Sequence, residues 1–284
     1  MSYLYRLIAR AASTNITRPQ FHAGTPAAYR SKPVEKSLLS NVGKCAYVAL
    51  LLLLASMPAH AQLIHNYDFT NGVTDLVGTA NGSLAGGASV SGGSLQLNGT
   101  TALVQFAQHI VPTSGSYTVA FFARQNASQA GSYLEFISQG FSGGPGFYIG
   151  YDPTNGIRAT DSWITTGVAA PTIGQWNHFA LAVDSANNHS QLYVNGLLKA
   201  TLSSSITTTL SGTDTRLGTQ FSSIPEYFNG SLDDVRVYQN SLSGAEVATL
   251  AANRSGTVVP EAGTLALLSL ALMPVGVGLA RRRK

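Results

Sequence analysis

Between residue 62 and about residue 240 the chain repeats one pattern, in which short runs rich in Val, Ile, Phe, Tyr and Thr alternate with clusters of Gly, Asn, Ser and Asp. β-Branched and aromatic residues favour strands, and the clusters supply the residue types that turns require. Many short strands of this kind are typical of an antiparallel sandwich or barrel. The clearest runs are residues 94–99, 116–124, 132–138, 146–152, 178–184, 191–196 and 233–239.

Two of these runs carry more detail. In residues 117–124 apolar side chains fall on both faces of the strand, so we expect this strand to lie at the centre of its sheet. Asn195 and Gly196 stand between two apolar runs and favour a type I′ turn, because both residues tolerate positive φ. The sequence therefore predicts a hairpin over residues 191–202.

Helical periodicity occurs at one place in this middle region, after its last strand. Ser243 and Glu246 have the spacing of a capping box, and Val247 and Leu250 share one face of the following turns. We expect one short helix there.

The net charge of +4 is distributed unevenly along the chain. Residues 1–61 contain seven basic residues and one acidic residue, residues 62–256 contain six and eleven, and residues 257–284 contain four and one. The middle region is therefore mildly acidic and lacks the basic surface that nucleic-acid binding requires. Since the single cysteine, Cys45, precedes this region, the region has neither an internal disulfide nor a thiolate site.

Residues 1–61 are predicted to be an extended leader that contains a signal peptide. An apolar run of eleven residues, 46–56, follows Lys44 and precedes Ala59 and Ala61, which have the spacing of a cleavage site. The run is shorter than the about 20 residues that span a bilayer. We expect cleavage after Ala61 and export across the inner membrane.

Residues 263–284 are predicted to be a transmembrane helix with a basic end, separate from the domain. Residues 263–280 carry no charge and are interrupted by Pro274. The basic cluster that follows would stay on the cytoplasmic side, and the domain would lie outside. This cluster consists of Arg281, Arg282, Arg283 and Lys284.

The order of Val259, Pro260 and Glu261, an apolar helix and a terminal arginine cluster resembles the PEP-CTERM sorting tail. The resemblance implies recognition by an exosortase-type protease and delivery to the cell envelope or the extracellular matrix, with a membrane anchor until processing. Ala262 stands where that family usually has a second proline. An ordinary anchor that is never cleaved is the alternative.

Residues 174–196 and 228–247 resemble two blocks of the laminin-G-like, concanavalin A-like jelly-roll domains of bacterial secreted proteins. Residues 67–69 and 94–99 are similar to the first strands of that family. The resemblance implies an all-β, two-sheet antiparallel jelly-roll sandwich over residues 62–252, followed by a linker at 253–262. That family includes lectins, adhesins, substrate-binding modules and glycosidase domains, so it does not define a function.

Trp176 and His178 lie on one face of a predicted strand, and Phe179 and Val183 lie on the other. We expect Trp176 to fill the sandwich interior and His178 to be a hydrogen-bonded structural residue. The alternation does not show which face is the core.

The spacing of the acidic residues argues against an enzyme. Glucanases with this jelly roll carry clustered E-x-D-x-E carboxylates, because retaining hydrolysis needs an acid and a nucleophile about 5 Å apart. Here Glu135, Glu226 and Glu246 stand alone in sequence, and no histidines have zinc-ligand spacing. We therefore predict no enzymatic activity. A glycoside hydrolase that depends on Glu135 is a remote alternative.

The laminin-G-like resemblance implies a structural Ca²⁺ ion. The matching positions are Asp233 for the carboxylate and Gly93 for a carbonyl, with a contribution near Asp68, and oxygen ligands of this kind suit Ca²⁺. The alternative is that Asp233 and Asp234 pair with Arg236 or cap a turn.

Exposed aromatic rings beside loops are candidates for stacking on sugars, and residues 138–156 combine such rings with a flexible composition. We predict an exported, non-enzymatic, lectin-like protein that binds a polysaccharide of the envelope or matrix, such as an exopolysaccharide. The alternative is a structural or adhesion protein that makes protein contacts. The candidate rings are Tyr148, Tyr151, Trp163, Tyr227 and Phe228.

Overall fold

The computed structural model describes residues 62–140, 146–159, 165–203, 214–221 and 225–254, all within the unit Ala59–Lys284. The leader, the apolar tail, the sorting motif and Trp163 lie outside the described residues. Among the residues that are described, no helix has the length and hydropathy needed to cross a membrane. Export and anchoring therefore stay predictions.

Within these ranges the chain forms fifteen strands and one helix, and each of the seven runs named above forms a strand. The elements are β1 (Leu63–Tyr67), β2 (Gly82–Ala85), β3 (Ser89–Ser91), β4 (Ser94–Asn98), β5 (Leu103–Phe106), β6 (Tyr117–Gln125), β7 (Leu134–Gly140), β8 (Phe147–Tyr151), β9 (Gly156–Ala159), β10 (Thr165–Ala169), β11 (Asn177–Asp184), β12 (His189–Val194), β13 (Leu197–Leu202), β14 (Asp214–Leu217), β15 (Asn229–Tyr238) and α1 (Gly244–Ala252).

The strands form two antiparallel sheets around one apolar core. Sheet A has the order β13-β12-β11-β6-β15-β4-β3, and β1 also pairs with β15. Sheet B has the order β10-β9-β8-β7-β14-β5-β2. The predicted two-sheet antiparallel sandwich with one short helix is confirmed.

Aromatic side chains from both sheets meet at the centre of the core. The rings of Phe121 and Phe179 in sheet A lie 5.4 and 5.2 Å from the ring of Phe136 in sheet B. Phe228 packs edge-on against Phe136 at 4.7 Å. Full burial of each such side chain contributes about 1.5–3 kcal/mol to stability, so this cluster is a main contact between the sheets.

The predicted hairpin is present as β12 and β13, which Asn195 and Gly196 connect with φ values of 51° and 76°. Positive φ at both positions is the requirement of a type I′ turn. The predicted central strand is β6, which pairs with β11 and β15.

The predicted helix is α1, and it covers part of the outer face of sheet A. Ser243 and Glu246 form the capping box, and Val247 and Leu250 are buried against a patch of alanine, tyrosine and leucine side chains. This patch consists of Ala120, Ala180, Ala182, Tyr193, Tyr238 and Leu242.

The prediction that Trp176 fills the sandwich interior is wrong. Trp176 precedes β11 and is partly exposed, with the guanidinium carbons of Arg124 and Arg254 at 5.1 and 4.3 Å from its ring. The core face of β11 is the one with Phe179, so His178 points outward and packs against Phe122. Burial, helped by Arg236, lowers the pKa of His178 to about 3, and its Nδ1 has no hydrogen-bond partner in the described structure.

Candidate functional site

A row of three residues crosses the outer face of sheet B on adjacent strands. In the strand register Glu135 of β7 lies opposite Gly150 of β8, which lies opposite Arg158 of β9. The neighbours Ile157 and Ala159 face the core, so the side chain of Arg158 must project to the other side.

Gly150 allows the side chains of Glu135 and Arg158 to meet across β8. A Cβ atom at residue 150 would collide with the carbonyl of Leu134 and the carboxylate of Glu135. With glycine there, Nη2 of Arg158 donates to Oε1 of Glu135. A glycine inside a strand often marks such a close approach.

Glu226 reaches the same guanidinium from a distant part of the sequence. Its backbone carbonyl accepts a hydrogen bond from the N–H of Glu135 at 3.0 Å, and the adjacent Tyr227 forms a parallel bridge with Glu135. Oε2 of Glu226 lies 2.7 Å from Nη2 of Arg158. Two carboxylates therefore share one arginine.

Two tyrosine rings contact this arginine. The guanidinium carbon of Arg158 lies 4.4 Å from the ring centre of Tyr133 and 4.7 Å from that of Tyr148. Tyr148 also stacks on Phe221 at 6.3 Å. Arg158 is 0% exposed and Tyr148 2%, whereas Tyr133 is 37% exposed. We call Tyr133, Glu135, Tyr148, Arg158 and Glu226 the Tyr133 cluster.

The charges in the Tyr133 cluster are strongly desolvated. Burial lowers the pKa of Arg158, although Glu226 opposes the shift, and burial raises the pKa of Glu226, although Arg158 opposes it. Oε2 of Glu135 accepts no hydrogen bond within the described part of the chain. The cluster thus consists of buried charged side chains beneath one exposed aromatic ring.

The prediction that Tyr148, Tyr151 and Phe228 are exposed is wrong, since their exposures are 2%, 3% and 0%. Tyr151 faces the core and contacts the ring of Phe136 at 4.9 Å, and Phe228 contacts the same ring at 4.7 Å. Tyr148 points outward but is covered by its neighbours.

Tyr227 is partly exposed and adjoins the Tyr133 cluster through Glu226. Sequence reasoning missed Tyr133, Arg158 and Glu226 as members of a site. The alternation of Arg158 with core-facing Ile157 and Ala159 was a usable signal for an outward arginine. No local signal marks Glu226.

Asp233, the predicted carboxylate ligand of Ca²⁺, lies on β15 of sheet A. Oδ1 of Asp233 accepts a hydrogen bond from the N–H of Asp234 at 2.8 Å, and its Oδ2 lies 3.5 Å from Arg254. Asp234 pairs with Arg236 at 3.2 Å, as the alternative prediction stated.

The charges around Asp233 determine what a cation would meet there. Burial raises the pKa of Asp233 to about 7, and the nearby charges of Asp234 and Asp68 act in the same direction. Among the described residues no group of three Asp, Glu, His or Cys side chains is arranged to hold a metal ion. Asp233 is an oxygen donor that lacks full charge compensation, which suits Ca²⁺, but Arg254 already supplies a cation there. Calcium binding stays a prediction.

Solved structures with the same fold include binding domains and enzymes. Domain 4 of AbnA, an extracellular GH43 arabinanase from Geobacillus stearothermophilus solved with arabinotriose, is 21% identical with a TM-score of 0.57, over 68% of this chain and 100% of that domain. Trypanosoma rangeli sialidase with sialic acid is 14% identical with a TM-score of 0.53, over 77% of this chain and 39% of the sialidase.

The binding domain of botulinum neurotoxin DC, solved with rat synaptotagmin II, is 16% identical with a TM-score of 0.54, over 67% of this chain and 51% of that domain. At these identities the likenesses show the fold. No curated protein sequence matches the chain. The family model of Laminin_G_3, described as the concanavalin A-like lectin/glucanases superfamily, matches residues 98–248, more than half of the sequence. The chain therefore belongs to the concanavalin A-like lectin/glucanases superfamily.

Proposed function

We propose that the domain binds glycan chains at the Tyr133 cluster and does not cleave them. The observation that supports this function is the placement of the Tyr133 ring, which is exposed and lies over a guanidinium that two carboxylates fix. A ring already fixed in one position loses little side-chain entropy when it stacks on a sugar.

The comparisons support a carbohydrate ligand. The superfamily contains lectins and glucanases. The arabinanase domain, which this chain covers over the whole length of that domain, was solved with arabinotriose.

The way the two glutamates are bonded supports a binding role without catalysis. Both carboxylates are bonded to Arg158, and their side chains are 0% and 9% exposed. Retaining hydrolysis needs an acid and a nucleophile that reach the glycosidic bond from about 5 Å apart. Glu135 and Glu226 instead support the arginine beneath Tyr133.

We place the binding domain outside the inner membrane, in the cell envelope or the extracellular matrix. This location rests on the predicted signal peptide and on the sorting motif at Val259, Pro260 and Glu261. An exopolysaccharide of the producing cell is the ligand that this location favours.

The test is the binding of purified full-length protein to the exopolysaccharide of its own cells, to arabinan and to β-glucan. Tyr133→Ala should weaken saturable binding about tenfold or more, because the contact area of one aromatic ring is lost. Tyr133→Phe should keep the affinity. Trp176→Ala, which removes the partly exposed ring beside sheet A, is the matched control and should leave binding intact.

Three outcomes would contradict the proposal. These are the absence of binding to any of the polysaccharides, full affinity in Tyr133→Ala, and the release of reducing sugar that Glu135→Gln abolishes. The last outcome would show a glycoside hydrolase.

A second candidate function, adhesion through protein contacts, is favoured by the edge of sheet A. Strand β13 ends that sheet, and its Leu197 and Leu198 are 62% and 49% exposed. An exposed apolar edge strand can pair with another chain. Self-association that Leu197→Lys abolishes, without glycan binding, would support this function.

A further inference from the structure

We infer that the Tyr133 cluster selects uncharged glycan chains and disfavours chains that carry carboxylates. This inference rests on the proposed function, because it concerns the charge of the surface that would hold the glycan. The preference follows from the excess of carboxylates over arginines beneath and beside Tyr133.

Two carboxylates of the cluster face one cation. Glu135 and Glu226 are both bonded to Nη2 of Arg158, so with these groups ionised the cluster carries one net negative charge. All three side chains are buried or nearly so. Water therefore screens this charge less than it would screen an exposed one.

A third carboxylate lies at the same end of sheet B. Asp152 directly follows β8, and its Oδ1 accepts hydrogen bonds from the N–H groups of Thr154 and Gly156, both at 2.8 Å. The N–H of Gly131 donates to the carbonyl of Pro153 at 2.8 Å, which ties the segment before Tyr133 to this turn. The carboxylate of Asp152 therefore adds negative charge beside the segment that leads into Tyr133.

The nearest other arginine on this face is Arg216, which lies on β14, the strand beside β7. Arg216 of β14 lies opposite Ser138, three residues beyond Glu135, which is roughly 10 Å along a strand. Its Nε donates to Gln105 at 2.9 Å, and its Nη1 lies 3.4 Å from the carbonyl of Gln220. A separation of about 10 Å equals the Debye length at 0.1 M salt, so Arg216 compensates the cluster weakly.

The remaining arginines of the described residues, Arg124, Arg236 and Arg254, lie at the outer side of sheet A. Proteins recognise carboxylates through an accessible guanidinium with two parallel hydrogen bonds. Arg158 is 0% exposed and is bonded to two glutamates. A sugar carboxylate stacked near Tyr133 would meet negative charge without an accessible arginine of this kind.

The size of the discrimination follows from Coulomb's law. One uncompensated charge about 6 Å from a ligand carboxylate, at an effective dielectric constant of about 40, changes affinity about tenfold. Added salt should reduce this difference.

The experiment compares neutral hexose chains with their C6-oxidised counterparts. Purified full-length protein is titrated calorimetrically with cello-, laminari-, manno- and galacto-hexaose, and then with the uronate form of each chain that binds and with hexaguluronate. We expect at least one neutral chain to bind, and its uronate form to bind about tenfold more weakly at low salt. The affinity for the uronate should rise with salt while that for the neutral chain stays constant.

The variant Glu226→Gln should raise affinity for the uronate several-fold relative to the neutral chain. If that variant does not fold, the salt dependence of the unmodified protein still gives the test. Uronate binding that is equal or tighter, or that weakens with salt, overturns the inference and leaves glycan binding standing. No binding to any chain, when the three polysaccharides named above also fail to bind, instead overturns the proposed function.

Discussion

Part of the outer face of sheet A lies beneath α1, whereas the outer face of sheet B around Arg158 is covered by acidic and aromatic side chains. Small residues make both arrangements possible. Ala120 and Ala180 leave room for a helix, and Gly150 leaves room for an ion pair. A small residue in the middle of a strand thus marks a place where a helix or long side chains pack against the outer face of the sheet.

The helix on sheet A and the Tyr133 cluster on sheet B are also stabilised by different interactions. The helix buries apolar side chains such as Val247 and Leu250, which is favourable at any pH. The Tyr133 cluster buries charges, which is favourable only while each keeps its partner. Breaking the buried ion pairs of the Tyr133 cluster should therefore have a larger effect than breaking the partly exposed pair of Arg254 and Asp233 on sheet A.

The largest effect is expected from Arg158→Leu. Loss of the guanidinium leaves Glu135 and Glu226 buried without their partner, and breaking a buried ion pair in this way costs about 3–5 kcal/mol. Urea unfolding at neutral pH measures the loss. Arg254→Leu is the control on sheet A, since its side chain is 38% exposed and its pair with Asp233 spans 3.5 Å. That change should cost about 1 kcal/mol or less. Equal losses would contradict the comparison.

A pair of glycine substitutions should change stability in opposite directions. Gly150→Ala places a methyl group against Glu135 and Leu134, and overpacking of this kind costs about 1–3 kcal/mol. In Gly244→Ala the nearest atom is a ring carbon of Tyr193 at 3.6 Å, an ordinary contact, so alanine should stabilise α1 by about 0.5–1 kcal/mol. Thermal unfolding of both variants checks the signs, and a destabilised Gly244→Ala would contradict the expectation.

The sequence was informative wherever the signal was local. Asn195 and Gly196 define their turn by φ alone, and Ser243 and Glu246 are three residues apart in one cap. The exposure of Tyr151 was predicted wrongly because nearby glycines and prolines suggested a loop, whereas its strand places the ring in the core.

The Tyr133 cluster depends on contacts that are distant in sequence. Glu226 stands 68 residues from Arg158, and their meeting requires the order of strands in sheet B and the path of the segment after β14. Alternation within a strand predicts which face a side chain occupies, but it does not predict which strand lies beside it.

The pH dependence of stability should separate two buried groups on sheet A. The pKa of Asp233 is raised to about 7, so its ionisation destabilises the fold as pH rises from about 4 to 7. The pKa of His178 is lowered to about 3, so its protonation destabilises the fold as pH falls from about 6.5 to 3. Between about pH 4 and 6.5 the two slopes have opposite signs and nearly cancel.

Replacement of Asp233 should expose the slope of His178. In Asp233→Asn the free energy of unfolding should increase with pH by about 1.4 kcal/mol per unit more than in the unmodified protein over this window. Urea unfolding at pH 4.5, 5.5 and 6.5 measures the difference. Asp184→Asn is the control, because hydrogen bonds from Asn187 lower the pKa of that exposed aspartate and place its titration below the window. Parallel curves for Asp233→Asn and the unmodified protein would contradict the assignment.

The smallest expected effect concerns calcium at Asp233. Because Arg254 already contacts this carboxylate, millimolar Ca²⁺ should raise the free energy of unfolding by about 1 kcal/mol or less, as for a ligand a few-fold above its Kd. Arg254→Ala removes the competing cation and should enlarge the response, whereas Asp233→Asn should abolish it. Thermal unfolding with Ca²⁺, with Mg²⁺ and with chelator distinguishes these results. If neither the unmodified protein nor Arg254→Ala responds to Ca²⁺, burial beside Asp234 accounts for the raised pKa of Asp233. The buried charges on the outer faces of both sheets are then compensated by protein groups only.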